Sequence, residues 1–397
     1  MRIAFCVVKH IARGGGIEKY TYELGRRLAA RGHQVTVYST RRYGPVDPVV
    51  EGMRVVSVPS LPRGGEKLSA SAWSAARTLV DGREDVVHFH HVSAGWAAGV
   101  VRAGGTRCLL QVHSVAERSP QWGASGSTVL RVLEGLAVRS CDALTAISPA
   151  VAGHLLRRYG RDAAIIPPGV DSPASAGTAA PSSSPPAPSA AFAASSLPPA
   201  ETSRSRPTAE LARWGLASGS YVLYAGRLSP EKGPDILIRA FRRLSTHQVL
   251  VIAGESRDPA YRARLAALAE GDPRIRFTGW LSGEALADLY AHARLFVLPS
   301  LLEGLSLALL EAMSCGLPCL ASDIPENRHV LAGTGFTFPS GDAAALADRM
   351  NSLLADPDAC RAAGLRAQAL VRARYSWDSV ADAYESLYQR LARRQAA

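Results

Sequence analysis

Glu303 and Glu311 stand eight residues apart in Glu303-Gly304-Leu305-Ser306-Leu307-Ala308-Leu309-Leu310-Glu311. A small, turn-prone Gly-Leu-Ser follows the first carboxylate, and an apolar helical run carries the second. The preceding Leu295-Phe296-Val297-Leu298-Pro299-Ser300 reads as a buried parallel strand. The pair therefore sits where a strand ends and a helix begins, at Leu305 and Ser306. Free backbone N–H groups at such a junction attract phosphate. Carboxylates are poor partners for phosphate but good acceptors for sugar hydroxyls, so the combination suits a ligand that carries both. On its own the pair also fits two solvated helix charges.

Other stretches carry compatible chemistry. Gly226-Arg227-Leu228-Ser229-Pro230-Glu231-Lys232-Gly233 follows an apolar strand. Arg227 can hold phosphate oxygens bidentately, and Lys232 adds a point charge; the competing reading pairs Lys232 with Glu231 at the surface. Gly14, Gly15 and Gly16 follow the first strand, where glycine lets backbone approach a ligand. This is not G-x-G-x-x-G, and no acidic residue is placed for a dinucleotide; a simple tight turn also fits. His88, His90 and His91 cluster at another strand end. A metal site is rejected because side chains alternate along a strand, so His88 and His91 diverge. Core or acceptor-side histidines fit better. The lone Asp-x-Asp, Asp356 and Asp358, sits by a helix start, where aspartates are ordinary N-terminal residues.

The elements that must position these groups alternate. Strands are expected at 3–8, 34–39, 53–59, 85–89, 108–112 and 143–146, with helices at 17–31 (ended by Gly32) and 69–80. A second series has strands at 221–225, 248–253, 275–278, 295–298 and 318–321. Strands alternating with helices indicate parallel sheets covered on both faces. Between the series, residues 172–206 are almost wholly Ser, Ala and Pro, and read as a disordered linker. The expected domains are 1–171 and 207–376, followed by a helix at 377–397. Two such halves would place a cleft between the C-terminal ends of their sheets.

The 397 residues suffice for two cores, with 47% hydrophobic residues and mean hydropathy near zero. No run reaches the roughly 20 apolar residues of a membrane helix, and no signal peptide is apparent. Six cysteines in this length read as reduced packing residues. Residues 1–171 hold 22 Lys+Arg against 13 Asp+Glu, a balance of +9 out of the total +11. Such a half could lie against an anionic membrane surface, with Arg26, Arg27, Arg41, Arg42, Arg157 and Arg158 as the paired positions. No motif for nucleic acid is present.

With these residues in place, the chain resembles the retaining glycosyltransferases of family 4, which have the GT-B fold of two Rossmann-like α/β domains. The match is carried by the E-x7-E with Ala312-Met313-Ser314-Cys315-Gly316-Leu317-Pro318, by G-R-x4-K-G at 226–233, by the Gly-Gly turn, and by Pro167-Pro168-Gly169-Val170-Asp171. The resemblance implies transfer of a hexosyl unit from a nucleotide diphosphate sugar to a hydroxyl acceptor (glycan, lipid-linked or small molecule), without a cofactor or metal. The resemblance, rather than the alternation of elements, makes 1–171 the acceptor side and 207–376 the nucleotide-sugar side, and returns the helix 377–397 to the first. It places Gly15 and Gly16 beside the diphosphate, and His113, ending Gln111-Val112-His113, near the reacting carbon. Gly254 lies in a turn near the base, and the Trp280-Leu281 backbone holds the base. Glu303 would orient the sugar and Glu311 the ribose. Glu117, Arg118, Gln121 and Trp122 would shape the acceptor pocket. A cytoplasmic enzyme, peripheral at the membrane at most, is implied. A UDP-sugar 2-epimerase of the same architecture and a non-catalytic glycan-assembly partner are the alternatives.

Overall fold

The computed structural model describes residues 1–11, 16–61, 66–81, 84–113, 123–170, 209–281 and 283–396. Gly15, the segment 172–206 and Glu117, Arg118, Gln121 and Trp122 lie outside the described residues. The chain divides into two compact units, Met1–Gly169 with Trp377–Ala397, and Val170–Ser376.

The first unit is built on eight strands: β1 (Arg2–Val8), β2 (Gln34–Thr40), β3 (Val49–Val50), β4 (Met53–Val58), β5 (Val86–Phe89), β6 (Arg107–Val112), β7 (Ala143–Ala146) and β8 (Ala164–Ile165). They lie in the order β3-β4-β2-β1-β5-β6-β7-β8. All pairs are parallel except β3 with β4. β2, β5 and β6 are buried almost end to end, as strands covered on both faces must be, although β2 carries Thr36, Ser39 and Thr40 among its buried residues. The helix Gly16–Ala30 stops at Gly32, whose φ of +86° is left-handed and whose N–H reaches the Ala29 carbonyl. The helix Trp377–Ala396 belongs to this unit and packs along Gly16–Ala30. Arg27 meets Asp378 at 3.2 Å, and Arg31 meets Asp382 at 2.7 Å and Glu385 at 3.0 Å. Gly169 leaves room for this helix, since a Cβ there would sit 2.5 Å from the Trp377 nitrogen.

Beneath the returning helix lies a buried polar and aromatic cluster. His88 and His90 are fully buried, with ring centroids 4.2 Å apart. His88 Nδ1 shares a 2.7 Å hydrogen bond with the Tyr388 hydroxyl of the returning helix. His90 Nδ1–H donates to Gln111 Oε1 at 2.9 Å. His91 points elsewhere and caps the short helix Val92–Gly95, accepting from the Ser93 N–H. So His88 and His91 do diverge, and His88 and His90 are core histidines. Burial holds both well below the ordinary imidazole range, His90 down to about 4. A depressed histidine binds fewer protons folded than unfolded between its two pKa values. Its contribution is complete above pH ~6.5 and is lost as pH falls toward about 4. We therefore expect the first unit's thermal midpoint to drop between pH 7 and 4.5. His88→Gln/His90→Gln should flatten that dependence in pH-resolved melting curves; an equally steep drop in the double variant would contradict the assignment.

The second unit carries β9 (Tyr221–Ala225), β10 (Val249–Ala253), β11 (Ile275–Gly279), β12 (Leu295–Leu298), β13 (Cys319–Ser322) and β14 (Phe336–Phe338). The order is β11-β10-β9-β12-β13-β14, all parallel. Strand order reverses between β9 and β12, the switch point where such sheets open a crevice at their C-terminal ends. Strands β3, β8 and β14, two or three residues long at sheet edges, are additions to the expected series. Asp356 caps the helix Pro357–Arg374 by accepting from the Ala359 N–H at 2.9 Å, the ordinary helix-start role expected of it. All six cysteines are free and buried.

The loops leaving β9, β10 and β11 interlock. Gly226 N–H donates to the Ala253 carbonyl, Leu228 N–H to that of Glu255, and Gly254 N–H to that of Gly279. Gly254 has φ +150°, and a Cβ there would lie 1.8 Å from the Gly226 carbonyl oxygen. Only glycine admits this approach. Gly254→Ala should cost about 3 kcal/mol or more through strain and overpacking. Urea unfolding tests this, and an unchanged midpoint would refute it.

Candidate functional site

The two loops flanking the switch point bring three of the expected residues together. The loop after β9 forms a short 3-10 turn, Pro230–Lys232, closed by Gly233 in left-handed conformation at φ +65°. The loop after β12 runs through Ser300 and Glu303 to the helix Leu307–Ser314. Their backbones dock directly: Leu301 N–H donates to the Glu231 carbonyl at 2.8 Å. Gly233 is required there, since a Cβ would approach the Pro299 carbonyl oxygen to 2.4 Å.

That docking places Lys232 Nζ 2.6 Å from Glu303 Oε2, across 71 positions of sequence. The surface pairing of Lys232 with Glu231 considered from sequence is not formed. Glu231 instead faces Arg227, at 3.5 Å. The carboxylate side chain of Glu303 is only 3% exposed, and its other oxygen accepts from Ser300 Oγ at 2.7 Å. Arg227 keeps over half its side chain in solvent, free to swing onto a ligand.

Ser306 caps the helix Leu307–Ser314, its hydroxyl accepting from the Leu309 N–H at 3.3 Å. Leu305, beside it, packs partly against the core. The N–H groups of this first turn are the anion-attracting feature read from sequence. Glu311 lies on the same helix but takes a separate partner, Tyr290, whose hydroxyl donates to Oε2 at 3.2 Å. Burial raises the Tyr290 phenol, with the Glu311 charge adding to it, so the phenol stays a donor. Gly254, Trp280 and Leu281 follow β10 and β11. Trp280 is largely exposed, while Leu281 rests against the core.

In the first unit, Gly16 opens its helix and His113 follows the end of β6. The His113 ring meets Tyr20 edge-on at 5.5 Å, and lies 6.2 Å from the His90 ring. Tyr20 packs on His113, Gln111 accepts from His90 and Asn327 donates to Ser322; none was singled out from sequence, since each is a common residue without a distinctive spacing. Of the paired arginines, Arg26 and Arg27 are committed to Glu23, and Arg27 also to Asp378. No described helix is long and apolar enough to cross a membrane.

The comparisons agree with this geometry. The family described as Glycosyl transferases group 1 matches residues 213–370, and Glycosyltransferase Family 4 matches residues 14–172. The chain is 31% identical to a D-inositol 3-phosphate glycosyltransferase of Xylanimonas cellulosilytica, over 96% of this chain and 93% of the relative. Among solved structures, sucrose-phosphate synthase from Thermosynechococcus elongatus aligns with TM-score 0.78 and 25% identity, covering 98% of each chain. HepE of Anabaena, solved with UDP-glucose, aligns at TM-score 0.77 and 20% identity over 98% of this chain and 100% of that one, a likeness of fold. The Xylanimonas relative is named as a glycosyltransferase, and the epimerase alternative is not favoured. With two parallel-sheet α/β units, a match to both family halves and a relative aligned over nearly its whole length, the chain belongs to the GT-B glycosyltransferases of group 1, family 4.

Proposed function

We propose that this glycosyltransferase moves a hexosyl unit from a nucleotide diphosphate sugar to a hydroxyl acceptor with retention at the anomeric carbon. The observation that carries this reading is the Lys232–Glu303 pair at the switch point, with Arg227 beside it. One arm of the pair suits phosphate and the other suits sugar hydroxyls. Arg227, Lys232 and the helix start at Leu305 and Ser306 neutralise charge that develops on the departing diphosphate. That is electrostatic catalysis by groups positioned before the reaction. Glu303 accepts from hydroxyls of the sugar, Glu311 from those of the ribose, and the backbone around Gly254, Trp280 and Leu281 holds the base. In the first unit His113 is the side chain we assign to catalysis, with Gly15 and Gly16 lending backbone donors.

The acceptor oxygen bonds to the anomeric carbon as the bond from that carbon to the phosphate oxygen breaks. The bonding pair leaves with the phosphate, which takes the acceptor's proton on the same face. No protein carboxylate serves as nucleophile in this scheme. The Xylanimonas relative is named for D-inositol 3-phosphate, so a phosphorylated polyol is the first acceptor class to try.

Calorimetric titration with UDP and GDP tests the donor half. Arg227→Ala and Lys232→Ala should each weaken binding by roughly tenfold to a hundredfold, the range of a charge-assisted hydrogen bond. Their effects on the fold should differ. Arg227 is more than half exposed and 3.5 Å from Glu231, so its loss should lower the melting temperature less than Lys232→Ala, which removes the 2.6 Å partner of the buried Glu303 carboxylate. Unchanged affinity in both variants would remove the phosphate assignment.

Charge neutralisation by two cations also predicts activity without a divalent ion. Turnover should survive EDTA. Turnover that vanishes in the chelator and returns with Mg²⁺ or Mn²⁺ would contradict this.

A further inference from the structure

We propose that Ser300, backed by Ser322 and Asn327, is a positioning residue that fixes the Glu303 carboxylate for the donor sugar; the proposal rests on the donor-site reading above. Ser300, Ser322 and Asn327 are all fully buried, yet all polar. Burying polar groups is costly unless they are hydrogen-bonded; here their donors form one directed chain, and Asn327 Oδ1 alone of the three side chains' polar atoms has no hydrogen-bond partner among the described residues. Asn327 Nδ2 donates to the Ser322 carbonyl at 3.1 Å and to Ser322 Oγ at 3.0 Å. Ser322 Oγ donates in turn to the Ser300 carbonyl. Ser300 Oγ donates to Glu303 Oε1 at 2.7 Å.

The direction of each bond is set by chemistry. A carbonyl can only accept, so the Ser322 hydroxyl proton must point at Ser300 and its lone pair at Asn327. A carboxylate only accepts, so the Ser300 proton must point at Glu303. The chain links the end of β13 and the helix Pro325–Leu331 to the loop after β12. It therefore anchors Glu303 to two elements that carry no phosphate chemistry themselves.

The consequence appears when a diphosphate arrives. Lys232 is held to Oε2 and is also the cation offered to phosphate. When its charge is shared with phosphate, the ammonium's hold on Glu303 weakens. Ser300 is then the contact that stops the carboxylate rotating, so its remaining acceptor lone pairs stay aimed at sugar hydroxyls. Ser300 should matter for the sugar and not for the diphosphate.

The test compares Ser300→Ala, Ser300→Thr, Glu303→Gln and the double variant Ser300→Ala/Glu303→Gln in the full chain. UDP-glucose, UDP-GlcNAc and GDP-mannose are titrated calorimetrically, with UDP and GDP as sugar-free controls. Ser300→Ala removes one hydroxyl and should weaken the best-binding nucleotide sugar about tenfold, leaving its nucleoside diphosphate unchanged. Ser300→Thr restores the hydroxyl and should recover most of that loss. The double variant should bind no worse than Glu303→Gln alone, because Ser300 acts through Glu303. Ser322→Ala should move sugar binding in the same direction by less, which covers the case that threonine does not fit. Equal weakening of nucleotide sugar and diphosphate by Ser300→Ala, or additive losses in the double variant, would overturn the positioning role. If Glu303→Gln itself leaves nucleotide-sugar affinity intact, or wild type binds none of the probes, the donor-site reading fails first and takes the positioning role with it.

Discussion

The second unit depends on one ion pair that burial makes obligatory. Glu303 is almost wholly removed from water, and Lys232 is its only cationic contact among the described residues. A buried pair of this kind gains little net stability over an apolar pair, because desolvation offsets most of the Coulombic attraction. Breaking it is far costlier than never having it. On the proposed donor reading, the pair holds ready a carboxylate in fixed orientation and a cation that can change partners when another anion arrives. The surrounding backbone follows from that demand. The two loops touch through Leu301 and Glu231, and Gly233 is small and left-handed so that they can. β9 and β12 are neighbours in the sheet although two strands separate them in sequence.

Arg227 and Lys232 look interchangeable as phosphate binders but sit in opposite states. Lys232 is fixed and mostly covered, while Arg227 is exposed and touches Glu231 only loosely. Arg227 is itself more than half exposed and meets the buried Glu231 at 3.5 Å, a longer contact than the 2.6 Å of Lys232 to Glu303. Lys232 cannot leave without disturbing Glu303. On the proposed donor reading, Arg227 would act as a mobile clamp and Lys232 would couple the diphosphate to the carboxylate beside it. Glu231 joins the two loops, through its side chain to Arg227 and its backbone carbonyl to the Leu301 N–H.

Much of this was legible before the structure. Apolar runs placed β1, β5, β7, β9 and β12 to within a residue or two, because strands covered on both faces leave a continuous hydrophobic signature. Glu303, Arg227 and Lys232 stood out because charged residues beside glycines at strand ends are chemically conspicuous. Their pairing did not: the partner of Lys232 lies 71 residues away, and the nearer Glu231 was the obvious candidate. Ser300, Ser322 and Asn327 were invisible for a different reason. Small polar residues are frequent in loops, and only packing reveals that these three are buried and joined. β3, β8 and β14 were missed because strands of two or three residues carry too little periodicity to read.

The two units solve the burial of polar groups differently, and ionisation explains the difference. An imidazole can shed its proton and remain a hydrogen-bonding group, so His88 and His90 are buried neutral beneath the returning helix with Tyr388 and Gln111 as partners. No cation is needed there, and the cluster can act as a packed aromatic layer joining β5 to the helix Trp377–Ala396. On the proposed donor reading Glu303 is the carboxylate that accepts from sugar hydroxyls, and a buried carboxylate needs partners for its oxygens. Glu303 therefore requires Lys232 on one oxygen and a donated hydroxyl on the other. The histidines can be covered completely, whereas on the proposed donor reading the carboxylate keeps its cation close to solvent, where a ligand can reach it. That requirement accounts for placing the charged pair at the open end of a sheet and the neutral pair under a helix.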